Sequence, residues 1–115
     1  MKRLDSHQIG VAQGELVLFS DFADDGEMWT GEGPRLVRRT VSFAEAFTAA
    51  PAVTVQMSMI DMSNDAYIRA DLQAENVSAD SFDIVFRTWG DSRVARVRAA
   101  WMAIGSLPSE DTWDL

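Results

Sequence analysis

Six strand-length apolar runs, separated by turn-forming residues, constrain the fold of this chain more than any other feature. In the third run, residues 52–60, valines and methionines alternate with Thr54, Gln56 and Ser58. A period of two is typical of a strand with one buried face. Similar runs predict strands at residues 11–19, 36–43, 67–74, 82–89 and 94–104. Because no helical segments separate them, we predict an all-β fold, a six-stranded antiparallel β-sandwich.

Helix is the alternative prediction at two places. Segment 43–50 is rich in alanine, which favours helix, but it is short and ends at Pro51. We interpret it as a connection with one helical turn at most. Residues 88–104 are also rich in alanine and arginine, yet their alternation fits a period of two better than one of 3.6. We therefore keep a strand there and predict that Trp101 lies in the core.

The chain is predicted to form a single domain at residues 10–104. A flexible N-terminal segment, 1–9, precedes it, and an acidic tail, 105–115, follows it. Trp113 is the one large apolar anchor of the tail, which we expect to fold back or to touch a neighbouring chain. Segment 20–35 is rich in glycine and acidic residues, and long ordered loops of this kind are often functional.

The charge balance excludes two classes of partner. The chain has 18 acidic and 10 basic residues and a formal net charge of −8. Nucleic acid and anionic bilayers attract basic surfaces, so we expect neither as a partner. No apolar run is long enough for a membrane span or a signal peptide. We expect synthesis in the cytoplasm and action outside the cell or on a virion-like particle.

The usual residues of catalysis and metal binding are absent or misplaced. The sequence has no cysteine, which excludes disulfides and thiolate sites, and no Gly-x-Ser-x-Gly motif. Its one histidine, His7, lies in a polar segment near the N-terminus. Residues 61–65 begin like a calcium loop, but Ala66 and Leu72 stand where that loop requires glycine and glutamate. We predict no enzyme, no cofactor and no metal.

A resemblance to a known family rests on the order and spacing of motifs between residues 35 and 104. Thr-Trp at 88–89 is followed by Trp-x-x-Ile at 101–104, and Asp-x7-Arg spans 61–69. Together these motifs resemble those of an H-type lectin domain, the family of the snail agglutinins. The further matching segments are 35–43, 51–53, 60–61, 68–70, 76–82, 87–89 and 97–104.

The resemblance implies a six-stranded antiparallel sandwich that assembles as a homotrimer. In that family a galactose-type sugar, typically N-acetylgalactosamine, binds at the junction of neighbouring chains, without metal and without catalysis. Similar domains also occur on phage-like tail fibres, where they would recognise host glycans. We therefore expect a carbohydrate-binding domain with a glycan ligand and a homotrimeric assembly, acting in cell adhesion or host recognition.

The resemblance also assigns the site residues by position. The sugar-binding arginine and tryptophan of the family correspond to Arg69 and Trp89. An aspartate before the second strand corresponds to Glu32 if no gap is placed there. Gly90 and Asp91 follow the tryptophan in a Gly-Asp-Ser turn. These five residues are the predicted carbohydrate-binding residues.

At several positions the chain departs from the family pattern. Gly90 replaces a histidine and Ala95 replaces a tyrosine, and Leu18 and Thr48 stand nearest to a structural cysteine pair. The lectin architecture is therefore expected to persist while the sugar specificity changes. A different glycan, weak binding, or a structural and assembly domain with a degenerate site are the alternatives. A small hydrolase is a further, minor alternative.

The residues themselves support part of this assignment. Arg69 alternates with the apolar positions of its run, so it faces solvent or a partner, and a guanidinium offers several fixed donors to sugar hydroxyls. Trp89 ends a run, where an indole can stack on the apolar face of a sugar. The alternatives are that Arg69 pairs with Asp71 or Asp61 and that Trp89 belongs to the rim of the core.

Four arginines form the only basic cluster of this acidic chain. If the fifth and sixth strands pair, several of them share a face and repel one another unless acids neutralise them. The acids could be Asp83 or Asp71 of the same chain, or could come from another chain at a subunit junction. We predict a homotrimer formed around the sixth strand. The four residues are Arg87, Arg93, Arg96 and Arg98.

Overall fold

The computed structural model describes residues 1–4 and 7–108. Part of the predicted N-terminal segment (residues 5–6) and the tail from residue 109, with Trp113, lie outside the described residues. In chain order the elements are β1 (Gln8–Ser20), α1 (Glu27–Thr30), β2 (Arg35–Ser42), β3 (Ala52–Met62), β4 (Asp71–Glu75), β5 (Ser81–Thr88) and β6 (Val94–Leu107).

The strands form two three-stranded sheets. The first sheet has the order β1-β6-β3 and the second has the order β2-β5-β4, and every strand pair is antiparallel. The predicted all-β, six-stranded antiparallel sandwich is confirmed. The two central strands, β5 and β6, each supply one face of the core.

The core follows from the alternation of these central strands. Phe82, Ile84 and Phe86 of β5 are fully buried, as are Val97 and Ala99 of β6. Removing a large apolar side chain from water stabilises the folded state by about 1.5–3 kcal/mol, so these positions hold the two sheets together. The loops at either end are attached to this core.

Trp101 lies at the rim of the core rather than at its centre. Its ring centroid is 5.4 Å from that of Phe82 and 6.0 Å from that of Phe43, and it packs against the core while part of it stays exposed. It faces Gly14 directly across the β1–β6 ladder. A glycine at that position leaves room for the indole.

Two register shifts lie beside Arg98 of β6. β1 shifts after Val17 and β3 shifts after Met57, and both strands place a residue opposite Arg98. Ser58 lies between Met57 and Met59 and has no partner residue in β6. Instead, its hydroxyl accepts a hydrogen bond from the Arg98 Nε at 3.0 Å. The predicted alternation of residues 52–60 therefore breaks at Met57, as a β-bulge requires.

The predicted fourth strand is wrong over residues 67–70. β4 begins only at Asp71. In the preceding segment the backbone N–H of Arg69 donates to the Ser92 hydroxyl, and its carbonyl accepts from the Thr88 hydroxyl. These side chains replace the strand ladder that the alternation predicts.

The connections differ from the sequence expectation in detail. Segment 43–50 contains bends and no helical turn, whereas the long loop 20–35 contains α1, whose Met28 is buried in the core. The β1–β6 ladder extends from the Gln8–Leu107 pair to Ser20, so it passes both ends of the predicted 10–104 domain.

The condition for the arginines of the fifth and sixth strands to share a face, pairing of the two strands, is not met. β5 and β6 belong to different sheets, so Arg87 is separated from Arg96 and Arg98. Each of these three has an acidic partner in its own chain. Of the two intrachain acids proposed, Asp71 lies 3.9 Å from Arg87, whereas Asp83 pairs with Arg38 instead. The nitrogen–oxygen distances are 2.7 Å for Arg87–Glu75, 3.0 Å for Arg96–Asp61 and 3.5 Å for Arg98–Glu15.

Candidate functional site

Three connections meet at one end of the sandwich. The ladders bring together the end of β1, the starts of β2 and β4, the ends of β3 and β5, and the start of β6. The loops 21–34, 63–70 and 89–93 therefore surround one surface. All five predicted site residues lie on these loops.

Arg69 and Asp91 form an ion pair at this surface. The Arg69 Nη1 lies 2.7 Å from the Asp91 Oδ1, and it also donates to the Tyr67 carbonyl oxygen at 3.2 Å. The alternative prediction that Arg69 pairs with Asp71 or Asp61 is wrong. Asp71 lies 3.9 Å from Arg87, and Asp61 pairs with Arg96. The pair fixes the guanidinium while leaving its Nε and Nη2 without partners among the described residues.

The hydrogen bond from Arg69 lowers the pKa of Asp91 below its ordinary value of 3.8. A further hydrogen bond to its backbone and the charges of Arg69 and Arg93 act in the same direction, while desolvation opposes them. Asp91 is therefore ionised at neutral pH, and it keeps Arg69 in place as a carboxylate.

Gly90 lets Arg69 lie close to the turn. Its φ is +69°, a backbone conformation that other residues adopt at a cost. A Cβ at this position would lie 3.0 Å from the Arg69 Nη1. A larger residue here would shift the guanidinium, so the glycine and the arginine are matched to each other.

Ser92 anchors the backbone beneath the ion pair. It is fully buried, and its Oγ accepts from the Arg69 N–H at 2.8 Å. Its single hydroxyl proton is shared between the carbonyl oxygens of Tyr67 and Trp89, which lie 3.2 and 3.0 Å from the Oγ. One side chain thus fixes the relative positions of two predicted site residues. Sequence reasoning missed it, although its place in the Gly-Asp-Ser turn was a signal.

Arg35 connects the long loop to the same turn, and sequence reasoning missed this residue as well. Its buried guanidinium donates to the carbonyls of Glu27, Gly33 and Gly90 at 3.0, 3.0 and 3.2 Å. The Gly33 N–H also donates to the Gly90 carbonyl at 2.9 Å. Glu32 is therefore held beside the turn, and its exposed carboxylate has no partner among the described residues.

Trp89 precedes the Gly90–Asp91 turn in the chain and lines a groove. Its side chain is 45% exposed. The groove has a volume of about 440 Å³, and its walls include Glu27, Pro34, Leu36 and Arg87 as well as Trp89. The indole can therefore contact a ligand at the surface, which the core-rim alternative for Trp89 would not require.

The titratable and buried polar side chains of residues 1–4 and 7–108 bear on metal and cofactor binding. No three His, Asp or Glu side chains in this part come together as metal ligands. Every buried side-chain nitrogen and oxygen there has a hydrogen-bond partner, so none points to a missing group. None of its helices is long and apolar enough to cross a membrane.

Comparison with known proteins gives the family directly. The H-type lectin domain matches residues 38–104. A protein of Fuscovulum blasticum, "ATP synthase subunits region ORF 7", is 55% identical over 107 residues, which cover 93% of each chain. The match to the lectin domain includes four of the five predicted site residues, with Glu32 outside it.

The discoidins of Dictyostelium discoideum are similar in sequence and fold. One of the discoidin-1 chains is 32% identical over 81 residues, which cover 70% of this chain and 32% of that protein. The structure of discoidin II superposes with a TM-score of 0.74 at 24% identity, over 88% of this chain and 38% of that one. The chain thus spans about a third of a discoidin. It belongs to the H-type lectin domain family and is a carbohydrate-binding domain rather than an enzyme.

Proposed function

We propose that the surface formed by Arg69, Asp91 and Trp89 binds a neutral cell-surface glycan of the galactose or N-acetylgalactosamine type. The observation that carries this proposal is a guanidinium held by a carboxylate of the same loop that carries a half-exposed indole. A sugar ring has an apolar face and an edge of hydroxyl groups. The indole suits the face, and the ion pair suits the edge.

Each residue has a distinct role in this proposal. The free Nε and Nη2 of Arg69 donate to sugar hydroxyls, and the second oxygen of Asp91 accepts from one. Trp89 stacks on the ring. Glu32 offers a further acceptor from the neighbouring loop. The acids on the three loops, among them Glu27, Glu32 and Asp91, would repel an anionic sugar, so a neutral one is favoured.

The two departures from the family pattern, Gly90 and Ala95, reduce the number of side chains that can contact a ligand. Gly90 has no side chain to offer, and Ala95 is buried, so neither reaches a ligand from this chain. Recognition must then depend on Arg69, Asp91 and Trp89. This supports a specificity that differs from that of the snail agglutinins.

We also propose a homotrimer that assembles through the outer face of the β1-β6-β3 sheet. Arg96 and Arg98 are paired within the chain, so their charges do not require a neighbour. The support comes instead from exposed apolar side chains on that face, among them Val11, Val17 and Met102. Exposed apolar side chains on one sheet face favour a protein interface. Three sites facing one cell surface would bind by avidity. The extracellular, fibre-borne setting stays a prediction.

Substitution of the two central residues tests the site. A glycan array followed by calorimetry on the wild type identifies the ligand, and Arg69→Ala and Trp89→Ala should each abolish binding. Their melting temperatures and sedimentation should not change, because Ser92 and Thr88 bind the backbone of Arg69 and not its side chain.

Arg39→Ala is the matched control, since Arg39 is an exposed arginine of β2 outside the site. It should bind like the wild type. Normal binding by both site variants would place the ligand elsewhere. If no glycan binds the wild type, the structural and assembly role becomes the better proposal.

A further inference from the structure

The groove lined by Trp89 exposes large apolar side chains to solvent. Leu36 of β2 is 49% exposed and Trp89 is 45% exposed, and Pro34 lies in the same wall. Leu36 pairs directly with Arg87 across the β2–β5 ladder. The volume of about 440 Å³ falls within the range of small-ligand sites, about 300–1,000 Å³.

The polar groups of the groove carry opposite charges. The Glu27 carboxylate has no hydrogen bond or ion pair within the described residues, so it can accept from a ligand. Arg87 binds Glu75 through its Nη1, at 2.7 Å, and its other nitrogens can donate. An apolar wall with one acceptor and one donor matches a hydroxylated ring better than a lipid or a phosphate.

The groove is continuous with the proposed glycan site but distinct from it. Trp89 belongs to both, whereas Arg69, Asp91 and Gly90 do not line the groove. A ligand that contacts the Trp89 indole therefore also meets the lining of the groove.

We infer that this groove binds the second sugar residue of a neutral oligosaccharide whose terminal residue lies against Arg69. The inference rests on the proposed function and extends it from a single sugar to a linked pair. Leu36 and Pro34 take the apolar face of the second ring, while Glu27 and Arg87 bind its hydroxyls. The domain should therefore prefer an extended glycan to the free monosaccharide.

Calorimetry with matched probes tests this inference. The probes are N-acetylgalactosamine, galactose, and disaccharides in which each of these sugars is the non-reducing residue. With the wild-type chain, the preferred disaccharide should bind about tenfold more tightly than its monosaccharide, a gain expected from a few added contacts in a preformed groove.

Variants of the groove locate the gain. Leu36→Ser and Glu27→Gln should each reduce the affinity ratio of disaccharide to monosaccharide to about twofold or less. Arg39→Ser, an exposed position on the same strand and outside the groove, should retain the wild-type ratio. A melting curve of each variant checks that it is folded.

The outcomes separate this inference from the proposed function. If the monosaccharide binds the wild type and the disaccharide binds no better, the groove is not a subsite, while the glycan site stands. The inference is also wrong if Leu36→Ser and Glu27→Gln both retain the wild-type ratio of disaccharide to monosaccharide affinity. If no probe and no arrayed glycan binds, both proposals fail.

Discussion

The contact between Gly14 and Trp101 allows a quantitative test of how the two sheets are packed. The two residues face each other across the β1–β6 ladder. A Cβ added to Gly14 would lie 2.8 Å from the Nε1 of Trp101 and 2.9 Å from two carbons of its indole. The indole cannot simply move inward, because Phe43 and Phe82 pack against it. Gly14→Ala must therefore displace Trp101.

The cost follows from overpacking. Adding atoms to a packed region typically costs about 1–3 kcal/mol, and we expect about 2 kcal/mol for Gly14→Ala. For a domain of this size the melting temperature should fall by roughly 8 °C, at about 4 °C per kcal/mol. Trp101→Ala should cost about 3 kcal/mol, the lower end for a large aromatic, because the indole is partly exposed.

A double-mutant cycle isolates the contact. Urea unfolding gives the free energy for the wild type, both single variants and the double variant. With Trp101 removed, Gly14→Ala should cost nothing, or should stabilise by about 0.5 kcal/mol by restricting the unfolded chain. An equal cost in both backgrounds would show that the indole does not cover Gly14.

Gly33→Ala is the matched control for this cycle. No atom lies within 4 Å of its added Cβ, but its φ is +75°. Its cost of about 1 kcal/mol should therefore come from the backbone alone. That cost should be the same with and without Trp101. Coupling between these two positions would mean that the cycle reports something other than contact.

Two further predictions concern the site and the assembly. Ser92→Ala should lower the free energy of unfolding by about 1–3 kcal/mol, because it leaves the part-buried N–H of Arg69 without its partner. Calorimetry should also show weaker glycan binding, and unchanged stability would contradict the anchoring role of Ser92. Sedimentation at micromolar concentration should give a mass of three chains at low and at high salt, because the proposed interface is apolar. Val11→Asp should give monomers. A wild-type monomer at every salt concentration would contradict the trimer and a site shared between chains.

Alternation predicted the strands because each sheet has one buried face. It succeeds in β5, where Phe82, Ile84 and Phe86 repeat at every second residue and are buried. It fails at residues 67–70, where the apolar and polar positions also alternate. There the hydroxyls of Thr88 and Ser92 satisfy the backbone of Arg69, and no pattern of hydrophobicity encodes such bonds.

Strand partners could not be derived in the same way. Alternation identifies the face of a strand but not its neighbour in the sheet. β5 and β6 follow each other closely in the chain, yet the connection 89–93 passes from one sheet to the other. Arg87 therefore does not share a face with Arg96 and Arg98, as it would if β5 and β6 paired.

Some residues of the site could be predicted from the sequence. Arg69 and Trp89 stood out through their positions in the alternating runs and through the family resemblance. Arg35 and Ser92 did not, because their importance comes from burial and from the carbonyls around them. A residue that acts through backbone contacts with distant loops is recognised only once the loops are placed.

The pH dependence of glycan binding should reflect Asp91 and no histidine. The hydrogen bond from Arg69 lowers the pKa of Asp91 below 3.8 in the folded chain, with Arg93 contributing. A lowered pKa means that the ion pair is intact above 3.8 and is lost as the pH falls through the lower, folded value. Position 90 is glycine, so the site has no imidazole that would titrate near a pKa of about 6.5. Calorimetry should therefore give constant affinity from about pH 8 to about pH 5 and a loss only in stronger acid. Asp91→Asn should bind more weakly and without that acid step, and a wild-type midpoint near pH 6 would show that another group controls the site.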